Sequence, residues 1–400
     1  MTAPSALNVC VVAEYYPRRR DPVLGIWTHE QARAAAAAGA SVRVLALERP
    51  VPPLAVLRRP KAFARAVREI ASQRRREVRD GLEIEYVRFV APPRDRSYPN
   101  WDRWARGALE RALTRLDRAS PIDVVHAHYA LPAGAAVRGW AQVRGRPLVV
   151  SVHGGDVHGA LLGDPATRAR VGDVLRTATV VLCNSADTLR RSAALAGDDR
   201  SMRVVHLGAR APEEPVTRHR HPTVATLGNV IARKRHEDVL RAVAMARQRM
   251  PELRWVVIGD GPERPRLERL ASELGVPVDW LGRLEPRAAL SALARCHGMA
   301  LPSVEEAFGV AYAEALACGL PAIGSRGEGG PEEIAALGEG LVLVPPLDPA
   351  ALAEALVALL GDGAELDRLA AAARATAAEH FTWERCGQAT LAAYRDACSC

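Results

Sequence analysis

The amino-acid sequence predicts an α/β protein built from two nucleotide-fold domains that face each other across a central cleft. The chain has 400 residues, more than one hydrophobic core usually holds, so two domains are expected. Hydrophobic residues make up 48% of the chain and charged residues 25%, which is typical of a globular protein. In both halves, short apolar runs alternate with helix-like runs, and this pattern indicates a parallel sheet covered by helices on both faces.

The first half of the chain contains a series of short apolar segments that are expected to form buried parallel strands. These strand-like segments are 8–15, 42–48, 82–90, 123–129, 147–155, 179–185 and 202–208. Helices are expected between them at 26–38, 101–118 and 132–145, and Gly39 ends the first of these helices. Because such sheets bind ligands at the carboxyl ends of their strands, the loops that follow the strands are the candidate chemical sites.

A polar segment that contains prolines separates the two halves and is expected to be a linker, over 209–222. The predicted domains are therefore 1–208 and 223–380, each of them Rossmann-like. The second half repeats the alternation of a strand with a following helix. A last helix is expected from about Thr382 to Cys398.

The composition argues against several classes of protein. Aromatic residues are only 4% of the chain, too few for the stacking platforms that bind nucleic acids, so no nucleic-acid partner is expected. No apolar run reaches the length of a membrane span, and the first residues lack the pattern of a signal peptide. The seven cysteines have no framework spacing, which indicates a reducing compartment. A cytoplasmic location is therefore expected.

The basic residues are concentrated in one segment. Residues 51–80 hold nine Lys or Arg against three Asp or Glu, which is most of the net charge of +8. Apolar residues fall near helical spacing within this segment, at Val56, Phe63, Val67 and Ile70. Two interpretations stay open: a solvated basic helix, or a surface that contacts anionic lipid head groups or a lipid-linked acceptor at the inner face of the plasma membrane.

The first candidate phosphate site surrounds Lys234. Of the 54 basic residues only Lys61 and Lys234 are lysines, which suggests that a compact ammonium is wanted at position 234. Lys234 stands between Arg233 and Arg235 at the start of a predicted helix, where cations oppose the helix dipole. A docked diphosphate would relieve this conflict, and the preceding turn at Gly228 favours that interpretation. The alternative is a screened cluster of surface charges.

Glycines and a histidine at strand ends supply further candidates. Gly329 and Gly330 precede a predicted helix and leave backbone N–H groups for a phosphate, although by themselves they fit an ordinary capped helix better. His153 ends an apolar strand before two glycines, so it is either a ligand-binding side chain or an ordinary loop histidine. Gly25, in the loop after the first strand, would give a phosphate close access to the backbone.

Several other kinds of site find no support. There is no G-x-G-x-x-G motif, which disfavours a dinucleotide oxidoreductase, and there is no P-loop. His126 and His128 share one face of a strand, but no third ligand is nearby, so a metal site is not expected. No Asp-x-Asp occurs, so a carboxylate pair that chelates Mg²⁺ to a nucleotide is not expected. We therefore expect neither a metal nor a cofactor.

A loop-to-helix stretch late in the chain carries two glutamates eight residues apart, Glu306 and Glu314. Stabilisation of a helix dipole accounts for Glu306 but not for Glu314. Carboxylates accept hydrogen bonds from sugar hydroxyls well, and two helical turns separate the pair by about 10 Å. This separation suits the transferred sugar and the ribose of one nucleotide-sugar, with the N–H groups of Phe308, Gly309 and Val310 toward the phosphates.

With these residues the sequence resembles the family-four glycosyltransferases of the GT-B fold, over nearly the whole chain. The stretch E-A-F-G-V-A-Y-A-E-A-L-A-C-G-L-P contains the family's E-x7-E signature and the A-x-G-x-P that follows it. The resemblance implies a retaining, metal-independent enzyme in which Glu306 contacts the donor sugar and Glu314 contacts the ribose. It also implies that residues 381–400 form a closing helix, which crosses back to pack on the first domain.

Two further motifs carry the same resemblance. Gly228-Asn229 followed by Lys234 is similar to the family's Gly-Arg…Lys diphosphate motif, from which Asn229 departs by replacing an arginine with a neutral amide. Lys234, helped by Arg233, would then balance the charge of the leaving diphosphate. His153, in H-G-G-D, resembles the family's strand-end histidine, which implies a position near the donor sugar and the reacting centre.

Gly25 matches the family's N-terminal loop glycine, and the motifs around it are most similar to members that build bacterial cell-surface polysaccharides. The resemblance thus implies transfer of a sugar from a nucleotide-diphosphate sugar to a glycan or lipid-linked acceptor, with His153, Lys234 and Glu306 as catalytic residues. Residues near 281–284 are expected to flank the base. Two alternatives share the fold: a nucleotide-sugar 2-epimerase, which turns over the donor alone, and a non-catalytic donor-binding subunit.

Overall fold

The computed structural model describes residues 6–52 and 56–399. The chain forms two compact units, one made of Met1–Leu207 with Trp383–Cys400 and the other of Gly208–Thr382. Among the described helices, none has the length and apolar character needed to cross a membrane.

The last helix and the segment between the two halves of the chain belong to different units. The last helix belongs to the first unit, whereas the segment 209–222, expected to be a linker, belongs to the second. Within the second unit, the amide of His219 donates to the carbonyl oxygen of Arg295 at 2.8 Å, which ties this segment to the domain beside it.

The first unit contains an eight-stranded sheet in the order β3-β4-β2-β1-β5-β6-β7-β8. Its strands are β1 (Asn8–Ala13), β2 (Ser41–Glu48), β3 (Arg76–Arg79), β4 (Leu82–Arg88), β5 (Val124–His128), β6 (Leu148–Val152), β7 (Val180–Cys183) and β8 (Met202–Val204). Neighbouring strands are parallel except β3 and β4. That hairpin turns at Asp80 and Gly81, both with positive φ, as a two-residue hairpin loop requires.

The helices of the first unit are α1 (Ile26–Ala37), α2 (Pro60–Ser72), α3 (Arg94–Ser97), α4 (Trp101–Ala119), α5 (Ala135–Val143), α6 (Pro165–Thr177), α7 (Ala186–Ala196) and, at the end of the chain, α15 (Trp383–Ser399). Residues 9–13 of β1 are fully buried because helices cover both faces of the sheet. Helix α15 packs closely on α1: a Cβ added at Gly387 would lie 2.3 Å from the carbonyl oxygen of Ala34.

The second unit contains a six-stranded, all-parallel sheet in the order β11-β10-β9-β12-β13-β14. Its strands are β9 (Thr223–Leu227), β10 (Arg254–Ile258), β11 (Val278–Gly282), β12 (Gly298–Ala300), β13 (Ala322–Ser325) and β14 (Leu341–Val344). Its helices are α8 (His236–Ala246), α9 (Arg264–Glu273), α10 (Pro286–Ala294), α11 (Val310–Ala317), α12 (Gly329–Leu337), α13 (Pro349–Gly361) and α14 (Gly363–His380). Asp348 and Asp362 begin α13 and α14 by accepting backbone N–H groups of the first turn.

Strand order fixes where each sheet can bind a ligand. In the first sheet the chain direction across the sheet reverses between β1 and β5, and in the second between β9 and β12. Crevices form at the carboxyl ends of such strand pairs because the helices that follow them lie on opposite faces. The loops after β1 and β5, and those after β9 and β12, are therefore the candidate ligand sites. Each unit is a Rossmann-like α/β domain, as the sequence predicts.

Candidate functional site

In the second unit, Lys234 and Glu306 meet at the reversal between β9 and β12. Lys234 ends a short 3-10 turn (Ala232–Lys234) in the loop after β9, and Glu306 lies in the loop after β12. The Lys234 ammonium donates a hydrogen bond to Glu306 Oε2. Both side chains are mostly buried, with 11% of Lys234 and 9% of Glu306 exposed. The fold thus places an ammonium and a carboxylate at the position where sheets of this kind bind ligands.

Glu306 is ionised in this setting. Burial is the largest single influence and acts to raise the pKa of its carboxyl. The charge and the hydrogen bond of Lys234, together with Arg233 and Ser303, outweigh burial and hold the pKa below its ordinary value. Arg233 adds a weaker attraction, since its Nη1 lies 3.9 Å from Glu306 Oε2 and its side chain is 42% exposed. An anion that approaches from solvent therefore meets Arg233 first and Lys234 behind it.

Backbone contacts hold the Glu306 loop in place. The backbone N–H of Glu306 donates to the Glu328 carboxylate at 2.8 Å. The Val304 N–H donates to the carbonyl oxygen of Arg233, also at 2.8 Å. The Gly330 N–H donates to the carbonyl oxygen of Glu306 at 3.3 Å. The N–H of Gly330, which the sequence analysis assigns to a phosphate, therefore already has a partner.

Gly330 instead permits a close approach between α12 and the Glu306 loop. A Cβ added there would lie 2.3 Å from the carbonyl oxygen and 2.4 Å from the Cα of Phe308. No side chain fits this gap without moving backbone. Gly329 precedes it as the first residue of α12 and is half-buried.

Helix α11 begins at Val310, directly after Gly309, which adopts a left-handed conformation with φ of +85°. A Cβ at Gly309 would lie 2.3 Å from the ring of Tyr312. Phe308 is 1% exposed and packs against Phe381 with a ring-centroid distance of 5.8 Å. Its side chain therefore belongs to the core, and only its backbone is left to face a ligand.

Glu314 lies two turns into α11 and has a different electrostatic setting from Glu306. Its side chain is half-buried, and burial raises the pKa of its carboxyl to about 7. Within the described part of the chain, no cation forms an ion pair with it. The two glutamates therefore differ in charge state near neutral pH: the pKa of Glu306 is lowered and favours the anion, whereas that of Glu314 is raised to about 7.

Gly228 and Asn229 lie directly after β9. Gly228 has φ of +151°, and its amide donates to the carbonyl oxygen of Ile258 at 3.0 Å. A Cβ at Gly228 would lie 3.9 Å from Lys234 Cε, an ordinary van der Waals distance, so Gly228 lies next to the lysine side chain. Asn229 is exposed beside it. The second unit thus brings Gly228, Arg233, Lys234 and Glu306 together, and Asn229 is adjacent to Gly228 in the chain.

The first unit holds the two remaining candidates. Gly25 has φ of +64° before α1, and a Cβ there would lie 2.1 Å from the carbonyl oxygen of Tyr15. This glycine lets α1 start against the loop that follows β1. His153 directly follows β6, is half-buried, and is kept neutral because burial lowers its pKa to about 3.

A ring cluster surrounds His153, and sequence reasoning did not find it. The centroids of Tyr129 and His153 are 5.1 Å apart, those of Tyr15 and Tyr129 5.0 Å, and those of Trp27 and His153 6.3 Å. Tyr15 and Tyr129 follow the two strands at which the first sheet reverses. Their position one or two residues after a strand end was the available signal. Half-buried rings of this kind can stack on the apolar face of a sugar.

Arg94 connects this cluster to a buried acid. Its guanidinium donates to Glu14 Oε1 and to the Tyr15 hydroxyl, and it lies 3.7 Å from the ring centroid of Tyr98. Burial is the largest influence on Glu14 and raises its pKa, against the opposing charge of Arg94. Arg94 is therefore bound to side chains of the loop that follows β1 and is not a free cation. Across the described ranges, no group of three or more His, Cys, Asp or Glu is placed to hold a metal ion.

Two family profiles together cover most of the chain. The one described as "Glycosyl transferase 4-like domain" matches residues 25–208, and the one described as "Glycosyl transferases group 1" matches residues 210–376. The boundary between the two matches falls next to the boundary between the structural units, since the second unit begins at Gly208.

Curated relatives agree with the profiles. A D-inositol 3-phosphate glycosyltransferase of Catenulispora acidiphila is 31% identical over 360 residues, which is 80% of this chain and 82% of that protein. A GDP-mannose-dependent monoacylated alpha-(1-6)-phosphatidylinositol monomannoside mannosyltransferase of Corynebacterium glutamicum is 26% identical over 313 residues, 72% of this chain and 81% of that protein.

Solved structures share the whole fold. A sucrose-phosphate synthase from Thermosynechococcus elongatus aligns with a TM-score of 0.73 at 21% identity, over 97% of this chain and 98% of that one. HepE of Anabaena, in complex with UDP-glucose, aligns with a TM-score of 0.71 at 17% identity, over 96% of this chain and 98% of that one. The resemblance noted in the sequence is confirmed, and the protein belongs to the family-four glycosyltransferases of the GT-B fold.

Proposed function

We propose that this glycosyltransferase moves a sugar, with retention of anomeric configuration, from a nucleotide-diphosphate sugar to a hydroxyl of a glycan or lipid-linked acceptor. The observation that carries the proposal is the hydrogen-bonded pair of Lys234 and Glu306 at the strand reversal of the second sheet. The pair offers a cation for a diphosphate and a carboxylate for sugar hydroxyls. Neither charge is needed for the hydrophobic core that surrounds the sheet.

In the proposed mechanism, Lys234 stabilises the departing diphosphate. As the bond between the sugar C1 and the diphosphate oxygen breaks, negative charge grows on that oxygen, and a fixed ammonium in a mostly buried site stabilises it. Arg233 adds long-range attraction from its exposed position. Because Lys234 supplies the charge that a divalent cation would otherwise supply, the reaction needs no metal.

Glu306 orients the donor sugar in this mechanism. Its low pKa keeps it an acceptor for two sugar hydroxyls, while Lys234 turns toward the phosphates. The acceptor oxygen then bonds to C1 on the face from which the diphosphate leaves. The acceptor's proton passes to the leaving diphosphate oxygen, so no residue need act as a separate base.

Glu314 is proposed to accept hydrogen bonds from the ribose hydroxyls of the donor. Its carboxyl has no cation partner in the described chain and sits on α11 beyond the Glu306 loop. Residues 281–284, at the end of β11, are proposed to lie beside the base. The curated relative from Corynebacterium is named for GDP-mannose and the Anabaena structure contains UDP-glucose, so guanosine and uridine donors are the two to test first.

The first unit is proposed to receive the acceptor. Tyr15, Trp27 and Tyr129 offer ring faces, and His153 offers a neutral imidazole. A relative named for inositol 3-phosphate and another named for a phosphatidylinositol mannoside support a sugar-like or inositol hydroxyl as the attacking group. Synthesis of a cell-surface polysaccharide or glycolipid is the setting that we propose.

Helix α2 is proposed to bring the first unit to an anionic membrane surface. No residue of this helix is buried, and it exposes 38% of Phe63 and 42% of Val67. Leu57, just before it, is 53% exposed. Apolar side chains beside Lys61, Arg65 and other cations are the combination that binds the headgroup region of acidic bilayers.

The experiment that tests the function is a donor screen followed by turnover. A nucleotide-sugar that binds at a hundredfold excess over its dissociation constant stabilises the native state by about 2.7 kcal/mol, which a thermal-shift assay detects. The selected donor is then incubated with and without a glycan or lipid acceptor, in the presence of EDTA. We expect acceptor-dependent release of nucleoside diphosphate and a product with the donor's anomeric configuration.

Other outcomes of this screen identify the alternatives. Conversion of the donor to its epimer without an acceptor would indicate a 2-epimerase. Donor binding without any turnover, over a broad acceptor panel, would indicate a non-catalytic binding subunit. An inverted product would contradict the proposed face of attack.

A further inference from the structure

Glu305, the residue before Glu306, has an unusual backbone conformation. Its φ is +55°, in the left-handed region that residues other than Gly, Asn and Asp seldom adopt, because Cβ comes close to the carbonyl oxygen. Glu305 is exposed to solvent, so packing of its own side chain does not impose this conformation. The contacts of the neighbouring backbone must impose it.

The contact between Lys234 and Glu306 has a left-handed residue on each side. In the described part of the chain, five residues other than glycine have positive φ, and two of them adjoin this contact. Glu305 directly precedes Glu306, and Arg235, also with φ of +55°, directly follows Lys234. Strained residues persist only where the surrounding structure imposes them, and they cluster at functional sites. The bonds that hold these two residues are therefore candidates for holding the contact itself.

Arg235 is held by its own helix. Its guanidinium donates to both carboxylate oxygens of Asp238, at 2.8 and 2.9 Å. Asp238 is 4% exposed, and its N–H donates to the carbonyl oxygen of Arg235 at 3.0 Å. The Lys234 side of the contact is therefore fixed locally, by residues at the start of α8.

Glu305 is held by bonds to residues that lie far from it in the chain. The peptide group that joins Glu305 to Glu306 presents its carbonyl oxygen to Arg233 Nη1 at 3.5 Å and its N–H to Glu328 Oε2 at 2.8 Å. The bond to Arg233 is long and exposed, whereas the bond to Glu328 is short and its acceptor is a carboxylate, so the second is the stronger. The orientation of this peptide, and with it the direction of the Glu306 side chain, depends mainly on Glu328.

The Glu328 carboxylate is available for this bond because it does not cap its own helix. Glu328 stands at the N-cap of α12 but accepts no N–H of the first turn. Glu332 secures the helix start instead: its carboxylate accepts the Gly327 N–H at 2.7 Å, and its N–H donates to the Glu328 carbonyl oxygen at 3.0 Å. With the bond from the Gly330 N–H, the start of α12 holds both the N–H and the carbonyl oxygen of Glu306.

We propose that Glu328 is a positioning residue for Glu306. Its carboxylate orients the peptide before Glu306, keeps Glu305 left-handed, and so aims the Glu306 carboxylate at Lys234 and, in the donor complex, at the sugar. Glu328 acts through Glu306 and does not itself touch the donor. The identity of the ligand rests on the proposed function, whereas the bond between Glu328 and the Glu306 N–H is a property of the protein by itself.

Two replacements of Glu328 separate the accepted hydrogen bond from the charge. Glu328→Gln keeps a side-chain carbonyl oxygen that can accept the Glu306 N–H, whereas Glu328→Met has a similar length and no such oxygen. Glu332→Ala is the matched control, because this exposed carboxylate secures the same helix start and makes its bond to Gly327 instead of Glu306. All variants are compared in the full-length protein.

The direct test is hydrogen–deuterium exchange without ligand, resolved to single amides by fragmentation in the mass spectrometer. We expect the Glu306 amide to be protected in the wild type and in Glu328→Gln, and to exchange about tenfold faster or more in Glu328→Met. Glu332→Ala should leave this amide as protected as in the wild type. Equal exchange of the Glu306 amide in the wild type and in Glu328→Met would overturn the proposal.

Turnover supplies a second readout. We expect Glu328→Met to lower kcat by about 10- to 100-fold, since a small displacement of an orienting group has effects of this size. Glu328→Gln and Glu332→Ala should keep most of the rate. A loss in Glu328→Gln as large as in Glu328→Met would show that the charge is required, which contradicts a positioning role. Losses of rate that follow Tm equally in Glu328→Met and Glu332→Ala would reduce Glu328 to a merely structural residue.

Nucleotide affinity separates a misplaced Glu306 from a damaged donor site. The probe is UDP or GDP, whichever matches the donor selected by the thermal-shift screen. Because Lys234, and not Glu306, is proposed to hold the diphosphate, Glu328→Met should bind this nucleotide no more weakly than the wild type while kcat falls. Weaker nucleotide binding, in step with kcat, would contradict the proposal. If no nucleotide-sugar is turned over but the Glu306 amide loses protection only in Glu328→Met, the proposed function fails while the positioning contact stands.

Discussion

The ammonium of Lys234 donates a hydrogen bond to the carboxylate of Glu306, a residue 72 positions further along the chain. The contact exists because β9 and β12 are neighbours in the sheet and both loops leave at their carboxyl ends. In the proposed mechanism, a diphosphate that approaches Lys234 would compete with Glu306 for the ammonium. Glu306 would then be released to bind the sugar.

Replacement of Lys234 by Ala should abolish transfer while the protein stays folded. The leaving diphosphate loses its fixed cation, and a loss of about 10²- to 10³-fold in kcat is typical when one such group is removed. The measurement is acceptor-dependent release of nucleoside diphosphate, together with Tm. Arg249→Ala removes a cation from an exposed ion pair with Glu354 in the same unit and should leave the rate unchanged. Near-normal turnover in Lys234→Ala would remove this residue from the mechanism.

Replacement of Glu306 by Gln should also abolish transfer, because the amide keeps the shape but loses one acceptor and the negative charge. Glu305→Gln is the matched control, since Glu305 is the adjacent carboxylate and is exposed to solvent. Steady-state kinetics should show a large fall in kcat for the first variant and none for the second. Equal effects in the two variants would mean that the charge of the loop matters and the position of Glu306 does not.

Donor affinity should weaken below about pH 7 through Glu314. Its carboxyl has a pKa of about 7 in the protein, and hydrogen bonds from ribose hydroxyls favour the ionised form. Binding therefore releases a proton below that pH, and affinity falls by up to about tenfold per pH unit as the pH drops. Above that pH the affinity should be constant.

Calorimetric titration of an intact nucleotide-sugar from pH 5.5 to 8.5 measures this dependence, because its diphosphate has no group that titrates in that interval. Glu306, whose pKa is held low, stays ionised there. Glu314→Gln should bind more weakly at pH 8 and show a flat profile. A sloping profile in Glu314→Gln would assign the proton to another group.

Replacement of Gly330 by Ala should destabilise the second unit by about 1–3 kcal/mol, the usual cost of an overpacked contact. The new Cβ would meet the Phe308 backbone at 2.3–2.4 Å and push the Glu306 loop away from α12. Gly361→Ala, in helix α13 with no heavy atom within 4 Å of the added Cβ, is the control and should be neutral or slightly stabilising. Urea unfolding of both variants gives the comparison, and an unchanged midpoint for Gly330→Ala would contradict the packing described.

Binding to acidic vesicles should depend on the apolar face of α2. We expect the wild type to sediment with vesicles of phosphatidylglycerol and phosphatidylcholine, and less so as salt rises. Phe63→Asp with Val67→Asp should abolish sedimentation. Val143→Asp, at a residue that is 85% exposed elsewhere in the same unit, is the control. Equal sedimentation of all three proteins would contradict this role of the apolar face and would support the interpretation of α2 as a solvated basic helix.

Local patterns in the sequence were enough to predict the fold class and the family. Buried parallel strands are continuous apolar runs, and the E-x7-E stretch combines two carboxylates with a helix start. Each of these signals is contained in a short stretch of consecutive residues. The fold and the family are confirmed, whereas the roles of Lys234, Glu306, Glu314 and His153 stay predictions.

The contacts that join distant segments could not be predicted in the same way. The ring cluster of Tyr15, Trp27 and Tyr129, and the bond between His128 and His153, depend on which strands become neighbours in the sheet. The role of Gly330 depends on how closely α12 approaches a loop more than twenty residues earlier. Sequence spacing carries no information about such distances until the strand order is known.

The most direct test of the Lys234–Glu306 donor site is a crystal structure of the full chain with a non-hydrolysable nucleotide-sugar. We predict that Lys234 Nζ will hydrogen-bond a diphosphate oxygen and that Glu306 will accept hydrogen bonds from hydroxyls of the sugar. A structure in which the nucleotide-sugar binds elsewhere, with Lys234 still bonded to Glu306, would contradict the proposed donor site.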